Sequence, residues 1–527
     1  MSMSVSRRSL LALPAAGLAG PALAQRAATL RFVPHANLTV LDPIWTSAYI
    51  TRNHAYLVYD TLYAMGSDLV PRPQMAEGMR LEDGDRVCTI TLRAGLRFHD
   101  GEPVLARDCV ASLKRWMSRD AFGQTLASYT DDLAAPDDRR IVFRLKRPFS
   151  LLPDALARIS GAFIMPERLA RTDAFTQVRD ATGSGPFRFL PDEWVPGASA
   201  AYARFDGYVP RDEAPNMLAG GKRARVDRVE WRIMPDAGTA STALQAGEVD
   251  WIEAPSADLL PLLHRHRRVT VRQIETFGSI SMLRPNQLHP PFDNPAFRRA
   301  LWSAIDQADV MTAVAGTDES RWRTGIGFFT PDTPMASTVG MEALTTPRNL
   351  DTARRAIEAS GYRGEKLVFL APTDLVTIDA MSHVVADLFR RLGLNVEHAS
   401  TDWGTVVQRR ANRGPVDQGG WSAFCTNVAA MECVNPATHS LLRGLGERSW
   451  FGWPNSPDIE ASRLAWIEAT GDAERKRLAD DIQRFAFRDV PYYPLGRYWS
   501  PAAFRTGMEG FVPGPVPVAW NVSLPPA

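Results

Sequence analysis

The sequence predicts a mixed α/β protein built as two unlike lobes. Three observations lead there. KLVFLAP at 366–372 reads as a strand, IDAMSHVVADLFRRLG at 378–393 as a helix closed by Gly393, and LNVEHAS at 394–400 as a second strand. Strand, helix and strand within so short a span form a βαβ unit with a parallel pair. The N-terminal half instead carries alternating, β-rich runs suited to antiparallel pairing. A chain of 527 residues also exceeds what one hydrophobic core serves.

The elements follow in chain order. SRRSLLALPAAGLAGPALA near the start has a basic opening at Arg7 and Arg8, an apolar run from Leu10, and the small-x-small end Ala22-Leu23-Ala24. This is the layout of an export signal over residues 1–24 with cleavage before Gln25. The Arg-Arg pair fits a twin-arginine signal or the basic region of a general secretory one. No Cys follows the apolar run, and no later stretch has the roughly 18 uninterrupted apolar residues of a membrane span. A protein of a bacterial periplasm is expected.

RVCTITLR at 86–93 and RIVFRLKRPF at 140–149 read as strands, and ARDCVASLKRW at 106–116 as a helix between them. VDRVEWRIMP at 226–235 is a further alternating strand, followed by a short helix in TASTALQAGEVD and a strand in VDWIEA. DNPAFRRALWSAID at 293–306 carries helix-start signals: Asp293 or Asn294 to cap, and Pro295 in the first turn. LDTARRAIEASGYRG at 350–364 is a helix ending at Gly361.

Lys and Arg number 60 against 59 Asp and Glu, so net charge gives no reason to expect nucleic acid or an acidic membrane surface as partner. HRHRR at 264–268 is the densest basic run. It reads as a solvated turn or helix end, with His264 and His266 as the alternative start of a metal site.

There is no G-x-S-x-G, phosphate-binding loop, H-E-x-x-H or C-x-x-C motif. Ser184 sits in a lone Gly-Ser-Gly turn. No catalytic residue, metal ligand or cofactor is assigned. The cysteines are Cys88, Cys109, Cys425 and Cys433. In an exported chain Cys425 and Cys433 are candidates for a local disulfide, while Cys88 and Cys109 fall on a strand and a helix that suit buried thiols.

Fourteen tryptophans and eleven tyrosines offer another signal. Several stand in Gly- or Pro-bearing stretches of low charge, where aromatics line ligand pockets or fill cores. GGWSAFCTNVAAMECVNP at 419–436 is the clearest of these, with Trp421 preceded by paired glycines.

Taken together, LVYDTLYAMGSDLVPRPQMAEGM (57–79), RAGLRFHDGEPVLARDCVASLKRW (93–116), TGSGPFRF (182–189), LQAGEVDWIE (244–253), PPFDNPAFRRALWSAID (290–306), GYRG (361–364) and AFRDVPYYPLG (486–496) stand in a recognisable order. The chain resembles the extracytoplasmic solute-binding proteins of ABC importers, in the peptide-, nickel- and opine-binding class. The resemblance covers nearly the whole mature chain. It implies a type II periplasmic binding protein-like fold with an extra subdomain inserted in lobe I. After the signal, lobe I would comprise residues 25–61, 185–284 and 500–527, the inserted subdomain 62–184, and lobe II 285–499. The lobes would close on a small peptide-like, opine-like or chelate ligand, and a monomer would dock on inner-membrane permease subunits.

In peptide-binding relatives a Gly-Trp pair at this place meets the ligand, and an Asp three residues beyond the Trp holds its amino group. Here Gly420 and Trp421 match the pair, Phe424 stands at the Asp position, and only Glu432 or Asp417 is at hand to supply charge. Asp402 and Trp403 offer either another anchor or a helix start. The expected ligand-binding set is Gly420, Trp421, Trp403 and Glu432. The contrasting functions are a secreted hydrolase using Ser184 or a carboxylate pair, and a chaperone-like or adhesive role.

Overall fold

The computed structural model describes residues 28–525; the export signal expected over residues 1–24 lies outside them. Two large sheets organise the chain. The first has seven strands, in the order Phe187–Phe189, Ser199–Arg204, Arg228–Arg232, Thr29–Val33, Trp251–Ile252, Ala502–Arg505 and Val269–Arg272. Its strands come from the beginning, middle and end of the chain. Thr29–Val33 runs parallel to both its neighbours, and the outer strands are antiparallel.

The second sheet has six strands: Trp322–Arg323, Tyr493–Tyr498, Ser279–Pro285, Ala423–Ala429, Leu367–Pro372 and Val396–Thr401. Leu367–Pro372 pairs in parallel with Val396–Thr401, as the βαβ pattern requires, and with Ala423–Ala429. Every residue of Leu367–Pro372 is buried, as befits a strand covered on both faces. Successive side chains leave it on opposite faces. Phe369 packs toward Phe389 of the helix Val376–Arg391. Val368 and Leu370 face the other way, into a cluster with Val406, Trp421, Phe424 and Trp453. The helix Trp403–Arg409 covers that second face.

Between residues 62 and 184 lies a separate four-stranded antiparallel sheet, ordered Ala76–Glu82, Val87–Leu92, Arg140–Leu145, Thr130–Ala134. The helices Ala106–Arg119 and Ala121–Tyr129 accompany it, and the Asp120 carboxylate caps the second.

Two expectations differ from the structure. Ser279–Pro285 belongs to the second sheet, so the change of lobe falls in residues 273–278 rather than at 284/285. The helix expected over 293–306 spans Pro295–Ala300 and then tightens into a 3₁₀ turn, where the Trp302 indole donates to the Phe487 carbonyl at 3.1 Å. The basic run HRHRR is a helix end, as expected: His264 lies in the last turn of the short helix Leu260–Arg265, and His266 caps it.

Candidate functional site

The chain passes between the two sheets through two short neighbouring segments, 273–278 and 499–501. They are tied to one another. The Trp499 indole donates to the Thr276 carbonyl at 3.2 Å, and Arg497 Nε donates to Phe277 O at 2.7 Å. Gly278, at φ +78°, lies where a side chain would press on Tyr498 O and the Trp499 ring. Glu275 accepts the backbone N–H groups of Phe277 and Gly278. Burial raises its carboxyl above the ordinary range despite those donors.

Beside these segments a cavity of about 1430 Å³ opens between the lobes. Its wall is drawn from both sheets, from the inserted subdomain and from Glu275 and Gly278 of the crossing segment. Side-chain hydrogen bonds span the cleft, these three among them. Tyr49 Oη accepts from the Ala429 N–H at 2.6 Å, Ser160 Oγ donates to Glu432 at 2.6 Å, and the Trp450 indole donates to Ser47 Oγ at 3.4 Å.

On the first-lobe side, Arg52 lies over the Tyr49 ring at 3.9 Å, and its Nη2 donates to the Pro515 carbonyl. Glu253 accepts from the Asn53 amide and pairs with His35 at 2.8 Å. Burial alone would raise Glu253, but His35 and Arg52 reverse the shift and leave it below the ordinary range. Arg158 and Asp120 pair at 2.8 Å on the inserted-subdomain side.

On the second-lobe side the helix Trp403–Arg409 carries the wall. Asp402 caps it through Thr405, and the Trp403 N–H donates to Asp374 at 2.8 Å. Asp402 is the cap of a helix start, and Trp403 is among the residues that line the cavity. Glu432, 7% exposed, also lines it.

Gly420 and Trp421 do not. Trp421 is 0% exposed and sits one layer behind the wall, edge-on to Phe424 and tilted against Trp453. Its indole donates to the Arg410 carbonyl at 3.1 Å, and its own carbonyl is taken by Asn286 at 2.8 Å. Gly420 is glycine because a Cβ there would overlap the Gly414 carbonyl oxygen. The pair therefore supports the wall without forming it. Phe424 is buried in the same cluster.

The expected Cys425–Cys433 disulfide is also absent: both are buried free thiols. Cys425 lies in an extended strand that runs on to Ala429. At about 3.3 Å per residue such a path carries the two Cα atoms past the roughly 7 Å that a disulfide allows. Ser184 is buried with an unpartnered hydroxyl, away from the cavity lining. A Cβ at its flanking glycines, Gly183 and Gly185, would overlap the carbonyl oxygens of Val58 and Leu57. The Gly-Ser-Gly triplet is a packing device, and the hydrolase reading finds no support in it.

Sequence reading missed Arg410, which follows the helix Trp403–Arg409. It is 3% exposed and lines the cavity. Trp403, Trp450 and Phe451 surround its guanidinium, with ring centroids at 5.5, 5.2 and 4.7 Å. Burial pulls it down to about 9. In VVQRRANRG it is one of two adjacent arginines at a helix end, and only the folded neighbours tell them apart.

Two lobes joined by paired crossing segments, with a cavity walled from both, define a bilobal solute-binding protein. The chain belongs to the bacterial extracellular solute-binding proteins, family 5, whose middle region matches residues 70–431. It is 39% identical to the probable peptide ABC transporter periplasmic-binding protein y4tO of Sinorhizobium fredii, over 92% of each chain. Its fold is similar to that of AgaA from A. tumefaciens R10, solved with agropinic acid (TM-score 0.79, 19% identity, 94% and 98% of the two chains). It is likewise similar to a dipeptide-binding protein from Pseudoalteromonas sp. SM9913, solved with Met-Leu (TM-score 0.77, 18% identity, 94% and 99%).

Proposed function

We propose that this protein is the periplasmic substrate-binding component of an ABC importer. It captures a peptide-like or opine-like small molecule between its lobes and hands it, as a monomer, to permease subunits in the inner membrane. The observation that carries the reading is the cavity of about 1430 Å³ walled by both lobes and their crossing segments. That volume exceeds the roughly 300–1,000 Å³ of an ordinary small-molecule site, which suits a ligand of several linked units with some accompanying water. The lining mixes aromatic faces with charged groups of both signs, as a ligand bearing several polar groups requires. The relative y4tO bears a peptide-transporter name, which supports the same ligand class. The protein acts by binding rather than turnover.

The test is native mass spectrometry of the exported chain purified without denaturation from its own periplasm. The expected result is a discrete added mass matching a peptide or an N-carboxyalkyl amino acid. A retained ligand of another class, or stoichiometric turnover of the captured molecule, would overturn the reading.

A further inference from the structure

The inserted subdomain meets the second lobe along one face of the helix Ala121–Tyr129. Three residues, each a turn apart, hold a group of that lobe. The Ala121 carbonyl accepts from Arg443 at 2.7 Å, Thr125 Oγ1 accepts from Arg463 at 3.2 Å, and the Tyr129 hydroxyl donates to Glu468 at 3.1 Å. Positions i, i+4 and i+8 share one side of a helix, so the three bonds form a single stripe. Arg463 and Glu468 stand on the helix Pro457–Glu468, and Arg443 is paired with Glu460 of that helix at 3.0 Å. Arg147 reinforces the far end: it lies over the Tyr129 ring at 4.2 Å and pairs with Glu468.

The other side of the helix Ala121–Tyr129 is committed to its own subdomain. Phe122 and Leu126 are fully buried, and Phe122 meets Phe149 at 6.1 Å. A Cβ on Gly123 would overlap the Met117 backbone of the helix Ala106–Arg119. The helix therefore moves with the subdomain. The stripe, in contrast, is free to part. Parting leaves Arg443 with Glu460, Arg463 with the carbonyls of Pro436 and Ala437, and Thr125 Oγ1 with the Ala121 carbonyl. Glu468 and Arg147 are half-exposed already. Each charged group keeps a partner or water, so opening does not strand a buried charge. The same helix begins at the cavity: Asp120, Ala121 and Gln124 line it, as does Arg443, whereas Thr125, Tyr129, Arg463 and Glu468 lie beyond the lining.

We infer that the Ala121, Thr125 and Tyr129 face of this helix is a reversible clasp, by which the inserted subdomain grips the helix Pro457–Glu468 when the cavity is occupied and releases it when the cavity is empty. This deepens the proposed binding function and rests on it. A ligand that holds the lobes together also closes the clasp, so bonds that never touch the ligand count toward its affinity.

The test places spin labels at Lys114→Cys and Ala461→Cys, both exposed positions, one on the subdomain and one on the helix Pro457–Glu468. The four native thiols are buried and take no label. Pulsed electron paramagnetic resonance reads the distance in the exported chain, stripped of ligand and then with pooled tripeptides, and calorimetry reads the affinity. Empty wild type should show a long distance with a minor short component, and the tripeptides should leave the short one alone. Thr125→Val combined with Tyr129→Phe keeps the shape of the stripe and removes two of its bonds. It should abolish the short component of the empty protein and weaken tripeptide binding about tenfold or more, while its empty form melts with wild type. A single short distance in the empty wild type, or full affinity in the double variant, overturns the clasp and leaves the binding function standing. Failure of every tripeptide to bind wild type overturns the peptide-like ligand; the empty proteins then decide the clasp alone, and identical distances in wild type and double variant overturn it.

Discussion

Trp421 drew attention in the sequence and has a different task in the fold. Its ring fills the layer between the strand Leu367–Pro372 and the helix Trp403–Arg409, and its N–H fixes the Arg410 carbonyl. Trp421→Phe keeps most of the ring and drops the hydrogen bond, so chemical denaturation should show a loss of about 1 kcal/mol. Trp421→Ala empties the layer and should cost about 3–5 kcal/mol. If Trp421→Ala instead left stability intact and abolished binding, the ring would belong to the cavity wall after all. The sequence marked Gly420 and Trp421 because close backbone approach and a buried indole leave a glycine–aromatic signature. The same signature marks a ligand wall, and composition does not separate the two. Arg410 left no signature: a buried arginine and a solvated one are the same letter.

At the level of elements, what was legible was periodic. The βαβ unit at 366–401 stands where its alternation and glycine stop placed it, because a buried parallel strand and an amphipathic helix impose their patterns over many residues. The crossing segments are only a few residues long and carry no period, so sequence pattern did not show them. Their chemistry makes a prediction. Burial holds the Glu275 carboxyl above its ordinary value of 4.5, so the fold favours the protonated form. Its stabilising share is complete below about 4.5 and is lost as pH rises through the elevated value. At neutral pH the ionised group therefore costs stability. Glu275→Gln should be more stable than wild type near pH 7.5, and the difference should shrink toward pH 5. A difference that grows on acidification would show that the two backbone N–H groups, not burial, govern this carboxyl. Gly278→Ala should destabilise by about 1–3 kcal/mol at any pH, since positive φ and contact with Trp499 both oppose a side chain.

Across the whole molecule, binding affinity depends on how readily the lobes meet as well as on what lines the cavity. The inserted subdomain also touches the second lobe through other bonds: Arg443 donates to the Ala121 carbonyl, Arg463 to Thr125, and the Tyr129 hydroxyl to Glu468. These contacts, like the three across the cleft, join residues hundreds of positions apart, which is why sequence pattern did not announce them. Of the three bonds given across the cleft, that from Ser160 to Glu432 meets a carboxylate, and hydrogen bonds to charged groups are worth about 1.5–3 kcal/mol. A ligand that binds only the joined lobes carries the full cost of joining them, so a lost latch appears directly in its apparent affinity. Ser160→Ala should weaken binding of the co-purified ligand about tenfold or more. Small-angle scattering should show less compaction on ligand addition, while the melting temperature of the empty protein changes little. Weaker binding with undiminished compaction would mean that Ser160 meets the ligand itself, and unchanged affinity would mean that the lobes close without this latch.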